Sequence, residues 1–75
     1  MDKLRMVDEL CNAWPSAVVS RTEAPKFLGG GIAVGTLANR DCVGTGVQEK
    51  YYVNGRVVYP KRALAEWFVN QMEVA

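Results

Sequence analysis

The stretch KYYVNGRVVY, at positions 50–59, carries the strongest local signal in this 75-residue sequence. Two runs rich in β-branched and aromatic residues flank Asn54-Gly55. A two-residue Asn-Gly loop favours the type I′ turn, which joins two twisted antiparallel strands. The tyrosines alternate with aliphatic residues, so at least one tyrosine should pack inward. The sequence therefore predicts a tight β-hairpin here.

Amphipathic helices are predicted at both ends of the chain. Pro15 ends the first, which spans residues 2–14, because the residue before a proline disfavours helical geometry. Pro60 closes the second strand of the hairpin and can open the second helix at its first position. A short apolar connector, residues 17–19, can be extended. Apolar side chains recur at helical spacing in both helices, as Leu4, Val7, Leu10, Cys11 and Trp14 in the first and Leu64, Trp67, Phe68 and Met72 in the second.

Two shorter helices separated by glycines are predicted between these ends. The first spans about residues 22–28, with Pro25 in its first turn, where the missing N–H is not needed. Residues 29–31 are all glycine and break the chain. A short helix follows at residues 34–40, with Leu37 as its inward anchor. Such a helix pair, followed by a hairpin, is typical of a winged helix-turn-helix.

This order predicts an α+β fold. We expect a small winged helix-turn-helix, built from a helix pair and a two-stranded β-hairpin wing, with an extra N-terminal helix. The chain should form a single domain over residues 1–75. Within it, residues 1–19 form the N-terminal helix and connector, and residues 20–72 form the winged helix-turn-helix. A short helix with one face in solvent fits the DNA major groove, and a hairpin can lie along the adjacent backbone or minor groove.

The composition argues against catalysis and against a bound metal or other cofactor. The chain has no histidine, which is the usual general base near neutral pH. Ser16 and Ser20 therefore have no evident activating partner, and we expect no enzyme activity. Cys11 and Cys42 are far apart, and two thiols are too few for a tetrahedral zinc site. Two reduced thiols are favoured, and a single disulfide between them is the alternative.

The sequence also predicts a cytoplasmic protein. No apolar stretch approaches the length of a membrane-spanning helix, so we expect no membrane partner. The first residues mix acidic and basic side chains, unlike a secretory signal peptide.

Basic side chains are concentrated in the middle of the chain. The formal net charge is only +1, which by itself offers little support for nucleic-acid binding. Residues 21–62, however, carry seven basic and three acidic side chains, a local charge of +4. Residues 1–20 sum to −1 and residues 63–75 to −2. Because phosphate contacts supply most non-specific DNA affinity, the central excess favours DNA as a partner.

From residue 21 to residue 67 the chain resembles the small winged helix-turn-helix domains related to the MerR DNA-binding domain. Phage and mobile-element excisionases and AlpA-like regulators belong to this group. The order and spacing of several motifs carry the resemblance, namely Arg21-Thr22-Glu23-Ala24 with Phe27-Leu28-Gly29, then Gly35-Thr36-Leu37-Ala38-Asn39-Arg40, Gly44-Thr45-Gly46, Tyr52-Val53-Asn54-Gly55-Arg56-Val57-Val58-Tyr59, and Leu64 through Trp67.

The resemblance implies a DNA-binding protein of phage or mobile-element type. Residues 34–40 would be the recognition helix and the Asn54-Gly55 hairpin the wing. Its partners would be double-stranded DNA, an integrase, and further copies of the chain on DNA. It would act in DNA recombination as an excisionase, in transcription regulation, or in both. The candidate DNA-binding residues are Arg21, Lys26, Val34, Gly35, Thr36, Asn39, Arg40, Lys50, Arg56, Lys61 and Arg62.

Several of these residues have a second interpretation. Arg40 and Asn39 suit guanine and adenine edges, but Asn39 could instead cap the C-terminal end of its helix. Thr36 could bond a phosphate or a local backbone carbonyl. Arg56 is the strongest wing candidate, although it could pair across the strands with a tyrosine or an acid.

An alternative function is a protein-docking winged-helix domain with weakened DNA binding. The low net charge, Asp41 beside the basic candidates, and the helix start at Ala33-Val34, which lacks a capping side chain, favour this alternative.

Overall fold

The computed structural model describes residues 2–72, and these form four helices and a three-stranded antiparallel sheet. The helices are α1 (Lys3–Ala13), α2 (Ala24–Phe27), α3 (Val34–Cys42) and α4 (Lys61–Val69). The strands are β1 (Val18–Ser20), β2 (Tyr51–Val53) and β3 (Arg56–Pro60). The predicted α+β class is confirmed, and the arrangement is compatible with a winged helix.

The hairpin formed by β2 and β3 has the turn that its sequence predicts. Both central residues have positive φ, 51° at Asn54 and 78° at Gly55, as a type I′ turn requires. Val53 lies opposite Arg56 across the turn. The prediction that one tyrosine packs inward is confirmed, because Tyr59 is fully buried in β3 while Tyr51 and Tyr52 are exposed in the edge strand β2.

The sheet has one strand more than the predicted two-stranded wing. β1 pairs antiparallel with β3, so β3 is the central strand and the strand order is β1-β3-β2. Val19 of β1 faces Tyr59 in this register, and both side chains are fully buried. The pairing joins segments far apart in the chain, so a local sequence pattern cannot reveal it.

Helix ends differ from the predicted ones by a few residues. α1 begins after Asp2, whose carboxylate accepts a hydrogen bond from the Arg5 N–H at 3.2 Å and so caps the helix. α2 is shorter than predicted because residues 21–23 form a turn instead. α3 continues two residues past its predicted end. Pro60 is the last residue of β3, as predicted, but it precedes α4 instead of forming its first position (φ −58°, ψ 133°).

A single hydrophobic core lies between the sheet and the helices. α1 packs along α4, and Trp14, which caps the end of α1, packs edge-to-face with Phe27 of α2 at 5.4 Å between ring centroids. Trp67 and Phe68 of α4 are half-buried against the core. The fully buried large side chains come from β1, α3, β3, α4 and the loop after α3, as Val19, Leu37, Val47, Tyr59, Leu64 and Val69. Within residues 2–72, no helix combines the length and hydropathy needed to cross a membrane.

Candidate functional site

The outer face of α3 carries four of the candidate residues in one stripe. Gly35, Thr36, Asn39 and Arg40 are all exposed, and their spacing places them on adjacent turns of one helix face. We call these four residues the outer stripe. Leu37 points the opposite way and is fully buried, as predicted. This anchor keeps the outer stripe in solvent.

Within residues 2–72, neither Asn39 nor Thr36 makes the local contact that was the alternative to DNA binding. α3 runs past Asn39 and is capped by Val43, so Asn39 does not lie at the end of the helix. Among the described residues, no hydrogen bond from the side chains of Thr36, Asn39 or Arg40 is present. Val34 is half-buried at the start of the helix. The three polar side chains can therefore turn toward a ligand.

Asp41 lies on the inner face of α3, although it follows Arg40 directly. Its side chain is only 5% exposed and forms a salt bridge with Arg21, 2.7 Å from Nη2 to Oδ2. The Tyr59 hydroxyl donates to the same oxygen at 2.5 Å and accepts from Arg21 Nε at 3.1 Å. This cluster joins three elements, namely the turn before α2, the helix α3 and the central strand β3. It sets the position of α3 relative to the hairpin.

The same contacts stabilise one protonation state of the cluster. Burial, followed by the hydrogen bond to Asp41, raises the pKa of Tyr59 to about 12. The hydrogen bond to Tyr59, followed by the one to Asp41, raises the pKa of Arg21 above its usual value. At neutral pH the phenol is therefore protonated and donates, and the guanidinium is charged.

Gly46 packs against this cluster from the loop after α3. A Cβ at Gly46 would overlap Asp41 Oδ1 and lie 2.9 Å from the Asp41 backbone nitrogen, so only glycine fits without a shift. Asp41 Oδ1 is buried and has no hydrogen-bond partner among the described residues. The same loop is tied to α4, because Trp67 Nε1 donates to the Thr45 carbonyl at 3.1 Å.

The hairpin presents a second exposed arginine. Arg56 follows the turn and faces Val53 across the strands, so it pairs with neither a tyrosine nor an acid there. Lys26 in α2 is exposed as well. Lys50 differs, because it is half-buried and its Nζ donates to the Val47 carbonyl at 3.2 Å.

Two of the candidate residues lie against α1 instead. Lys61 Nζ donates to the carbonyls of Cys11 at 2.9 Å and Trp14 at 3.1 Å, at the C-terminal end of α1. A cation is favourable there because the last carbonyls of a helix carry partial negative charge. Arg62 bonds Asp8 of α1 at 2.6 Å. Both residues therefore fasten α1 to α4, apart from the outer stripe.

Sequence reasoning did not identify Asp41 and Tyr59 as a linked pair, although part of the signal was available. Asp41 follows Leu37 by four residues, which places both on the buried face of a helix that extends that far. A buried carboxylate needs a charged or hydrogen-bonding partner. Its partner is Arg21, one of the candidate DNA-binding residues, whose side chain is 25% exposed.

Comparisons with family models, curated proteins and solved structures found no match to this chain.

Proposed function

We propose that this chain is a DNA-binding protein of winged helix-turn-helix type, with α3 as recognition helix and the β2–β3 hairpin as wing. The observation that carries the proposal is the outer stripe. It places an arginine, an asparagine and a threonine on one solvent-facing helix surface, and their side chains form no hydrogen bond or salt bridge within residues 2–72. At the hairpin turn, Arg56 adds another cation that has no salt bridge among the described residues.

The chemistry of these side chains suits DNA recognition. An arginine such as Arg40 can bond guanine O6 and N7, and an asparagine such as Asn39 can bond adenine N6 and N7. Thr36 suits a phosphate oxygen. Gly35 has open space around it, so DNA can approach the backbone of α3 closely there. Arg56 would lie along the adjacent backbone or minor groove.

The resemblance to excisionases and AlpA-like regulators suggests two biological roles, in DNA excision and in transcription regulation. We propose that copies of the chain bind adjacent sites and bend DNA for an integrase, regulate transcription, or do both. A domain of this size buries limited surface on DNA, so affinity should depend on neighbouring copies. Sequence-dependent bending would then contribute to specificity.

Fluorescence anisotropy with attachment-site and promoter duplexes, at two salt concentrations, tests the proposal. We expect binding that weakens steeply with salt, because phosphate contacts release counterions. Arg40→Ala and Arg56→Ala should each weaken it strongly. Arg5→Ala removes the same kind of side chain from the exposed surface of α1 and serves as the matched control. Absence of binding to every such duplex at low salt would refute the proposal.

The protein-docking alternative has one structural observation in its favour. Leu4 is 69% exposed beside a groove between α1 and α4, which Val7 and Val69 also line. Under this alternative, Leu4→Ser would abolish partner binding, and Arg40→Ala would leave it unchanged. The same two variants have the opposite effects if DNA is the partner of α3.

A further inference from the structure

A concave surface lies between the hairpin turn and the turn that precedes α2. It brings two arginines and two hydroxyl side chains together, and its lining consists of Ser20, Arg21, Thr22, Gly55, Arg56 and Val57. We call it the two-arginine pocket. These segments are distant in the chain and meet because β1 pairs with β3 and the Arg21 N–H bonds the Val57 carbonyl at 2.9 Å. The third strand therefore creates the pocket.

Arg21 enters the pocket with its orientation already set. A guanidinium has five N–H donors in a rigid fork. Two bonds, one to Tyr59 and one to Asp41, hold its inner side. These bonds use two of the five donors, and the side chain is 25% exposed. Such a fixed arginine loses little conformational entropy when an anion binds.

The other donors of the pocket are exposed and adjustable. Arg56 is exposed and has no salt bridge among the described residues. The Thr22 hydroxyl donates to Ser20 Oγ at 3.2 Å, because the Ser20 proton is used on Glu23, and an anion could accept the Thr22 proton in place of Ser20. Within residues 2–72, the Thr22 backbone N–H donates to no carbonyl.

One acidic group limits what the pocket can hold. Ser20 donates its hydroxyl proton to Glu23 Oε1 at 2.9 Å, so Ser20 offers no donor to an anion. The exposed Glu23 carboxylate also disfavours a highly charged ligand. Two guanidinium groups and a hydroxyl suit a tetrahedral oxyanion with a single charge, such as a phosphodiester.

We propose that the two-arginine pocket binds one phosphate of the DNA backbone, with Arg21, Arg56 and Thr22 as its donors. This inference rests on the proposed function and adds a defined contact to it. It also gives Arg21 a role in binding, since the Asp41 salt bridge orients this side chain and leaves part of its donor fork free.

Binding of duplex DNA to pocket variants tests whether Arg56 and Thr22 contact the same phosphate. Arg56→Ala should weaken binding about tenfold and lower the slope of log affinity against log salt by about one. Thr22→Val, which keeps the shape of the side chain, should weaken binding about threefold with the slope unchanged. The loss in the double variant should be smaller than the product of the single losses, because both residues contact one phosphate. Arg5→Ala is again the control.

Amide NMR spectra with inorganic phosphate test the pocket without DNA. We expect shifts at Thr22 and Gly55 that chloride at equal ionic strength does not produce and that Arg56→Ala removes. If Arg56→Ala weakens DNA binding but Thr22→Val behaves like Arg5→Ala, the shared phosphate site is refuted and the proposed function stands. If DNA does not bind, the proposed function fails, and phosphate shifts at these amides alone decide whether the pocket binds an oxyanion.

Discussion

Arg21 and Asp41 form a salt bridge of 2.7 Å that ties the turn before α2 to the inner face of α3. The side chains are 25% and 5% exposed. The Arg62–Asp8 pair is as short, at 2.6 Å, but both its side chains are more than half exposed. Because solvent screens exposed pairs, depth rather than distance distinguishes the two bridges. We expect only the buried pair to hold the fold.

Asp41→Ala should lower the free energy of unfolding by about 2–4 kcal/mol, because it leaves the Arg21 guanidinium partly buried without its anion. Urea denaturation followed by circular dichroism measures the loss. Asp8→Ala is the matched control, since it breaks an equally short pair in solvent and should cost at most about 1 kcal/mol. Equal losses in the two variants would show that the buried bridge contributes no more than a surface pair.

The Tyr59 hydroxyl should make stability fall at alkaline pH. Its pKa in the folded protein is raised to about 12, so the folded state retains a proton that the unfolded state releases near pH 10. The Tyr59 hydroxyl therefore makes its full contribution to the free energy of unfolding below pH 10, and this contribution is lost as the pH rises toward 12. Urea denaturation of the native chain and of Tyr59→Phe, at pH 8 to 12, measures it.

Other groups also titrate in this range, so the difference between the two proteins is the quantity to follow. Tyr59→Phe should be less stable at pH 8 by about 1 kcal/mol, because Arg21 and Asp41 each lose a hydrogen bond. The gap should narrow as the pH approaches 12. A gap that stays constant across the range would contradict the raised pKa.

The local elements of this fold can be predicted from the sequence because their signals are local. A type I′ turn requires positive φ at both central positions, which Asn54 and Gly55 adopt readily, so this dipeptide predicts the turn type and with it the hairpin register. Helical spacing of apolar residues predicts α1 and α4, and Pro15 accounts for the end of α1. Leu37 predicts which face of α3 points inward, and with it the outer stripe.

Long-range pairing accounts for most of what the sequence does not predict. β1 has three residues and becomes a strand only through its partners in β3. The roles of Arg21 and Lys61 depend on bonds to residues far away in the chain. A charge count assigns both to a basic surface because it cannot separate a cation held by a carboxylate or by backbone carbonyls from a free cation. The two-arginine pocket could not be predicted either, because it forms only where β1 pairs with β3.

Gly46→Ala should destabilise the fold by about 1–3 kcal/mol, since its Cβ would force Asp41 away from Arg21. Gly35→Ala is the matched glycine control. Gly35 lies in α3 with open space around it, so alanine should stabilise the helix by about 0.5–1 kcal/mol. Thermal denaturation should thus shift in opposite directions for the two variants. Stabilisation by Gly46→Ala would mean that the loop after α3 does not press on Asp41.

Lys61→Met separates a structural lysine from a DNA-binding one. Methionine keeps the apolar stem but loses both bonds to the α1 carbonyls, so we expect about 1–2 kcal/mol of destabilisation. The salt dependence of DNA binding should remain that of the native chain, because this ammonium is held by α1. Lys26→Met, an exposed lysine in α2, should leave stability within about 0.5 kcal/mol. Denaturation measures the free energy of unfolding, and anisotropy on the same preparations measures DNA binding. If Lys61→Met lowers the slope of log affinity against log salt by about one, this lysine contacts DNA.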